Sequence, residues 1–346
     1  ISLSFQLYII CIIFCYEAIN GSCPKIIYSE VLRISTYFFL WTAIIVTVCG
    51  NLLVIISITH FKQLHTPTNF LLLSLAIADL LLGGFIMPPS LIRSLESCWY
   101  FGELFCKIHS STDIMLCTAS LMHLFFIAID RYYAVCHPLR YRETITIYIT
   151  LKMILTGWVL AAFHGYAMIF LKLNIKGIED FYYQNFNCVG GCFLIQTATS
   201  SLLSSLFFFY VPALIMIAIY IKIFIVARIQ ARTIQQAAMK NETANEKKKA
   251  MLMKRERKAA RTLGITIGVF LFCWTPFFIC LVSDPFSNYS APPVMVDVLV
   301  WLGYLNSTFN PFIHAFFFTW FRKALKMIAF GEIFENNSSL IQLYTE

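Results

Sequence analysis

Seven long apolar stretches divide this chain of 346 residues, and each is long enough to cross a bilayer as a helix. With 59% hydrophobic and only 13% charged residues, the chain is too apolar for an ordinary soluble domain. The expected fold is therefore an all-α membrane protein, a bundle of seven transmembrane helices. The stretches lie at about residues 34–59, 69–92, 108–129, 149–171, 201–227, 262–283 and 294–318.

Basic residues concentrate between the fifth and sixth stretches. Twelve Lys and Arg lie from Lys222 to Arg261, against three Glu. Because loops rich in Lys and Arg stay in the cytoplasm, residues 228–260 are expected to form an intracellular loop. Contact with anionic lipid is its main expected role, and docking of a partner is compatible with it. Alternating helices then place the amino terminus outside the plasma membrane and the carboxyl terminus inside.

Three parts follow from this topology: an extracellular segment at residues 1–33, a seven-helix domain at 34–318, and a cytoplasmic end at 319–346. Residues 1–15 are apolar but short and lack a basic flank, so a signal-peptide remnant or an interfacial segment is favoured over an eighth span. Trp320 to Phe330 is apolar on one side and basic on the other, which predicts a short amphipathic eighth helix on the inner membrane surface.

Several residues fit an external location for the first segment. Asn20-Gly21-Ser22 is a glycosylation sequon. Four cysteines fall in segments expected to face the oxidising exterior, which predicts two disulfides. They are Cys23, Cys106, Cys188 and Cys192. The sequence permits three pairings, and Cys15 and Cys98 add further possibilities.

Asp113 is a lone carboxylate in the third stretch, eighteen residues before Arg131 of Asp130-Arg131-Tyr132. Eighteen residues are five helical turns, so the two side chains share one face about 27 Å apart. An ionised carboxylate in a span is costly and functional by default. We expect it to bind a ligand ammonium, because no Lys or Arg lies at membrane depth in neighbouring spans. The alternative is a carboxylate satisfied only by water and hydroxyls.

Aromatic and hydroxyl side chains are expected around this carboxylate. Trp274, Phe277 and Phe278 form one stripe at i, i+3 and i+4, which can attract an ammonium but is also usual in plain helix packing. Ser204 and Ser205 could donate to a polar group of the ligand or bond back to their own helix.

No metal-ligand cluster, phosphate loop or nucleophile with a positioned base is recognisable, so neither an enzyme nor a nucleic-acid-binding protein is predicted. A transporter would need inverted repeats or broken helices, and a channel would need a polar pore-lining face. Neither is evident. A polar track through the spans could act as hydrogen-bonded glue between helices. It comprises Asn51, Asp79, Ser120, Asn306, Ser307 and Asn310.

An ordered set of landmarks, one or more in each helix, resembles the rhodopsin-like receptors that couple to heterotrimeric G proteins. The set is Gly50-Asn51, Leu75 to Asp79, Asp130-Arg131-Tyr132, Trp158, Pro212 with Tyr220, Cys273-Trp274-Thr275-Pro276, and Asn310-Pro311. Asn306 to Pro311, Trp320 to Leu325, Asn20 to Pro24, Asp130 to Leu139 and Cys188 to Cys192 resemble the trace amine-associated receptors in particular. Another biogenic-amine receptor, similar to those for serotonin or histamine, is the alternative.

The resemblance implies a ligand site and a disulfide pattern. Asp113 is similar to the amine anchor, Tyr304 to the hydroxyl that bonds it, and Ile114 and Cys117 line the same site. Tyr304 could equally be an interfacial tyrosine. The implied disulfides are Cys106–Cys192 and Cys23–Cys188. No second acid occupies the fifth helix here, so a monoamine is favoured over a diamine, although Asp297 or the Glu179-Asp180 pair could serve a second ammonium.

The resemblance also implies a transmission route to a G protein, expected to be stimulatory and cyclic-AMP-raising, with olfactory amine sensing as one setting. Arg131 beside Asp130, with Glu256, resembles an ionic latch, and the polar track resembles a sodium pocket. The residues expected in coupling are Asp130, Arg131, Tyr220, Glu256, Asn310, Pro311 and His314, with the packing triad Leu121, Pro212 and Phe270. His314 departs from the Tyr usual there, and near Tyr220 and Arg131 it could make basal activity depend on pH.

Overall fold

The computed structural model describes residues 13–237 and 244–343, without the side chains of 231, 233–260 and 263. Seven long helices, α1 to α7, form one bundle, and a short α8 follows. Their bounds are α1 Glu30–His60, α2 Pro67–Glu96, α3 Glu103–Cys136, α4 Ile147–Phe170, α5 Ala198–Ser205 continuing into Val211–Ala237, α6 Ala244–Ser283, α7 Pro293–Phe317 and α8 Thr319–Ala329. Two π-helical turns interrupt this regularity, Leu82–Ile86 in α2 and Leu206–Tyr210 in α5.

Six of these helices are long and apolar enough to cross a membrane. The seventh, α7, is less apolar because it carries Asn306, Ser307 and Asn310, yet these side chains are buried within the bundle. The seven predicted stretches therefore match seven helices, and the seven-helix fold expected from the sequence is confirmed.

Close helix crossings occur at small residues, as is usual in membrane bundles. A Cβ atom on Gly165 of α4 would lie 2.2 Å from the carbonyl oxygen of Ser111 in α3. A Cβ on Gly50 of α1 would lie 2.7 Å from the ring of Pro311 in α7. Any side chain at either position would push two helices apart.

Three disulfides hold one end of the bundle, which we call the disulfide end. Cys106–Cys192 and Cys23–Cys188 are the two pairs that the resemblance implies. Cys15–Cys98 is a third, which the sequence left as an open possibility. An isolated β-bridge between Ser22 and Val189 adds backbone hydrogen bonds at the disulfide end. The segment from residue 13 onward is thus fixed to both α2 and the loop before α5. Of the apolar residues 1–15, the first twelve lie outside the described residues.

At the opposite end, which we call the Arg131 end, α8 follows α7 directly. Its apolar side, with Trp320, Phe321, Ala324 and Met327, is buried and packs on the ends of α1 and α7. The apolar side of α8, which was expected to lie on the membrane surface, is therefore covered by α1 and α7. The backbone then returns to the first loop, where the amide of Leu343 donates to Gln63 over 2.7 Å.

Candidate functional site

Asp113 lies on α3 in the half of the bundle near the disulfide end. The hydroxyl of Tyr304 on α7 donates to its Oδ2 over 2.6 Å, and the thiol of Cys117 donates to its Oδ1 over 3.4 Å. Tyr304 is fully buried, whereas Asp113, Ile114 and Cys117 are half-buried. The carboxylate is thus fixed by neighbours from two helices and retains an open side.

The ion pairs among the described side chains are Lys25–Glu96, Lys107–Glu103 and Arg131–Asp130, so none involves Asp113. One basic residue, just beyond the predicted second span, acts on neighbouring groups of α7. Arg93, in the last turn of α2, lies close enough to act electrostatically on Asp297 and Tyr304. A cation brought by a ligand can still pair with Asp113.

The aromatic stripe of α6 forms one wall beside this carboxylate. The Trp274 ring centroid lies 5.8 Å from that of Phe277 and 6.1 Å from that of Phe278. Trp274 rests on Gly303 of α7, where a Cβ would come within 2.8 Å of the indole. Phe209 of α5, which the sequence did not single out, stacks on Phe278 at 4.1 Å. Rings from α5 and α6 therefore close this side together.

The hydroxyls of the two serines of α5 are both buried. Ser204 Oγ lies 2.8 Å from Nε2 of His164 on α4, and Nδ1 of the same imidazole lies 2.9 Å from Oγ of Thr118 on α3. His164 also stacks on Phe208 with centroids 3.8 Å apart. Ser205 is fully buried, and its hydroxyl has no hydrogen-bond partner among the described residues.

The polar track of the sequence becomes one cluster around Asp79, a buried carboxylate on α2. Ser307 donates to it over 2.7 Å, Asn310 over 2.6 Å and Ser120 over 3.5 Å. Asn51 instead donates to the carbonyl of Ser307 over 3.1 Å. Three carbonyl oxygens of this cluster are buried without a partner in the described structure. They belong to Asn51, Asn306 and Asn310.

The core between the Asp113 region and the cluster around Asp79 contains the expected packing triad. Leu121, Pro212 and Phe270 are all buried. Phe209 joins them, since its ring centroid lies 6.2 Å from that of Phe270. The aromatic wall and the triad therefore belong to one continuous core. A displacement of Trp274 would shift the side chains of the triad.

Arg131 forms a compact polar group with residues of two other segments. Its guanidinium pairs with Asp130 at 2.6 Å and contacts the hydroxyl of Thr68 at the start of α2. Tyr141, in the short loop helix Pro138–Thr144, donates to Asp130 over 2.8 Å. Burial raises the pKa of Tyr141 to about 12, so the phenol remains a donor at neutral pH. Glu256, the other expected partner, lies outside the described side chains.

His314 does not join Arg131 or Tyr220. Its buried ring packs at a tilt on Phe318 and edge-on against Phe321, with centroids 5.5 and 6.2 Å away. Neither ring nitrogen has a hydrogen-bond partner among the described residues. The Tyr220 hydroxyl is likewise buried without a described partner. The imidazole therefore makes no hydrogen bond to the guanidinium or to the Tyr220 phenol, and a pH effect on basal activity stays a prediction.

Comparison with known proteins agrees with this arrangement. The family model described as 7 transmembrane receptor (rhodopsin family) matches residues 50–314. The chain is 52% identical over 333 residues to trace amine-associated receptor 1 of Homo sapiens, covering 96% of this chain and 98% of that protein. This chain belongs to the trace amine-associated receptors.

More distant relatives of the same family match at similar length. Trace amine-associated receptor 4 of Mus musculus is 46% identical over 331 residues, which cover 96% of this chain and 95% of that protein. Trace amine-associated receptor 13c of Danio rerio is 46% identical over 332 residues, covering 96% of each chain. As a member of this family, the chain is a multi-pass membrane receptor and not an enzyme.

Sequence reasoning missed residues that act between helices. Thr68 and Tyr141 at the Arg131 end, and His164, Thr118 and Phe209 near Asp113, were not singled out. A histidine within an apolar span could have drawn attention to His164, since ionisable residues there face the bundle interior. No sequence signal marked Tyr141 as a partner of Asp130, because the loop that carries it has no fixed direction until it packs.

Proposed function

We propose that this trace amine-associated receptor binds a small monoamine at Asp113 and activates a heterotrimeric G protein. The observation that carries the proposal is the Asp113 carboxylate, oriented by Tyr304 and Cys117 and without an ion pair among the described side chains. A primary ammonium supplies the missing charge and can also lie against the face of an aromatic ring. Trp274 and Phe277 provide such rings beside it.

A single ammonium fits the site better than two. Asp297, the candidate for a second ammonium, already lies within the electrostatic influence of Arg93. Glu179 accepts from its own loop backbone at Gly177 over 2.8 Å. Because both acids already have partners, a second cation would have to displace one of them.

The test is Asp113→Asn, which keeps the size and removes the charge. We expect loss of the cyclic-AMP response to β-phenylethylamine with unchanged surface expression, measured on an epitope-tagged receptor. Asp297→Asn is the matched control, since it removes a nearby acid on α7 and should retain the response. Preserved potency in Asp113→Asn would refute the anchor role.

Activation requires only that the ligand bind the open arrangement of the Arg131 end more tightly than the closed one. We assign this end to the cytoplasm and the disulfide end to the exterior, because the segment rich in Lys and Arg between α5 and α6 begins beside the Arg131 end of α3, where Gln230 donates to the carbonyl of Val135 over 3.1 Å. Opening would separate Arg131 from Asp130, Thr68 and Tyr141 and admit the G protein. A stimulatory G protein and a role in olfactory amine sensing are parts of this proposal that a cyclic-AMP assay and tissue expression would test.

The residues around Asp79 fit a sodium ion. Sodium prefers oxygen donors, and the cluster combines a buried carboxylate with the unpartnered carbonyl oxygens of Asn306 and Asn310. When bound, the ion would neutralise the buried negative charge and hold α2, α3 and α7 in one arrangement. Ser120 and Ser307 would then orient the carboxylate.

A further inference from the structure

We propose that His164 sets the ligand selectivity of this receptor by keeping Ser204 bound to α4, so that the site takes arylalkyl monoamines without ring hydroxyls in preference to catecholamines. This inference rests on the proposed function, because it concerns the opposite end of the same ligand. It assigns a specificity role to a residue on α4.

Both nitrogens of the His164 ring are in use. Nε2 lies 2.8 Å from Ser204 Oγ and Nδ1 lies 2.9 Å from Thr118 Oγ. A neutral imidazole has one donor and one acceptor, so these two contacts satisfy it fully. Whichever tautomer is present, the ring links α3, α4 and α5 by side-chain hydrogen bonds.

The ring is also held in place by packing. It stacks on Phe208 at a centroid distance of 3.8 Å and an angle of 11°. His164 is 8% exposed, as is Ser204, while Thr118 is 6% exposed. Turning Ser204 towards a ligand would leave one nitrogen of a buried imidazole without a partner, and the cost of that loss offsets a hydrogen bond to the ligand.

The other polar group of the α5 wall is equally inaccessible. Ser205 is 0% exposed. What the wall presents next to α6 is Phe209, stacked on Phe278 at 4.1 Å. A ring hydroxyl directed at this wall would lose water and could not reach the Ser205 hydroxyl, which has no partner among the described residues but is fully buried, whereas an apolar ring would lose nothing polar.

The probes are β-phenylethylamine, tyramine and dopamine, which share one ammonium and carry zero, one and two ring hydroxyls. In the unmodified receptor we expect potency to fall from the first to the third. Ser204→Ala and Ser205→Ala should each leave the potency ratio of dopamine to β-phenylethylamine unchanged. His164→Leu, which removes both hydrogen bonds at similar bulk, should raise that ratio about threefold to tenfold, the size of one net hydrogen bond.

The gain in His164→Leu should disappear in His164→Leu/Ser204→Ala, which identifies the freed hydroxyl as its source. Thr118→Val is the matched control, since it removes one contact of His164 but leaves the Ser204 contact, and it should not raise the ratio. A selective loss of dopamine or tyramine potency in Ser204→Ala or Ser205→Ala alone would overturn the inference, and this result does not need the His164 variant to fold.

Different results would refute the amine site at Asp113 and the role of His164. If Asp113→Asn retains the response to all three amines, the proposed amine site is wrong. The amine site stands if Asp113→Asn abolishes every response. The role of His164 is nevertheless refuted if dopamine is the most potent of the three amines at the unmodified receptor and loses that potency in Ser204→Ala.

Discussion

Tyr304 on α7 donates a hydrogen bond over 2.6 Å to Asp113 on α3. The bond joins the helix that carries the proposed ligand anchor to the helix that also carries Ser307 and Asn310. The ligand ammonium proposed to bind at Asp113 would therefore act on α7 directly, through one phenol. Coupling of the two helices at this point is the first physical link between binding and the polar cluster around Asp79.

Tyr304→Phe keeps the ring and removes this bond. We expect amine potency to fall about tenfold to a hundredfold, because a hydrogen bond to a charged group contributes roughly 1.5–3 kcal/mol. The measurement is a concentration–response curve for β-phenylethylamine at matched surface expression. Equal potency of variant and parent would show that the phenol does not orient the anchor.

Asp79→Asn tests the sodium pocket. We expect sodium chloride to raise the melting temperature of the purified receptor and to weaken agonist binding, and the variant to lose both effects. Choline chloride at equal ionic strength controls for general screening by salt. Sodium effects that persist in Asp79→Asn would place the ion elsewhere.

Tyr141→Phe tests the polar group around Arg131. Loss of the 2.8 Å bond to Asp130 should weaken the closed arrangement and raise agonist-free cyclic-AMP production several-fold. Tyr133→Phe serves as control, since the Tyr133 ring lies on the same helix as Arg131 and its hydroxyl has no hydrogen bond to a described residue. Basal signalling that rises equally in both variants would argue against a specific role of Tyr141.

Gly303→Ala tests the packing of Trp274 on Gly303. The added Cβ would come within 2.8 Å of the indole, so the ring must move or α6 and α7 must separate. We expect a loss of about 1–3 kcal/mol in stability and a lower amine potency. Gly268→Ala is the matched control, because no atom lies within 4 Å of its added Cβ. A Gly303→Ala receptor as stable as Gly268→Ala would contradict this packing.

Cys15→Ser/Cys98→Ser tests the third disulfide, which fixes the segment before α1 to the end of α2. Its loss should destabilise the receptor by about 2–4 kcal/mol, seen as a lower melting temperature. Cys280→Ser removes a free cysteine and should leave the melting temperature unchanged. If Cys15 and Cys98 are not bonded, a reducing agent should lower the melting temperature of the parent no more than that of the double variant.

The contacts of His314 could not be predicted from the sequence. The sequence shows a histidine where the family usually has a tyrosine, and the positions of Tyr220 and Arg131 along their helices predict that both lie near it. In the structure the ring turns towards Phe318 and Phe321 at the start of α8. Rotamer and helix rotation decide such contacts, and neither is encoded in spacing along one helix.

The sequence by itself determined the number of helices, the position of Asp113 five turns before Arg131, and the polar residues around Asp79. Hydropathy and the 3.6-residue period fix these, because a bilayer leaves a long apolar segment little choice but a helix. Only the tertiary structure decided that His164 engages Ser204, that Tyr141 completes the group around Arg131, and that Cys15 pairs with Cys98. Each of these joins segments far apart in the chain, so its geometry exists only once the helices have packed.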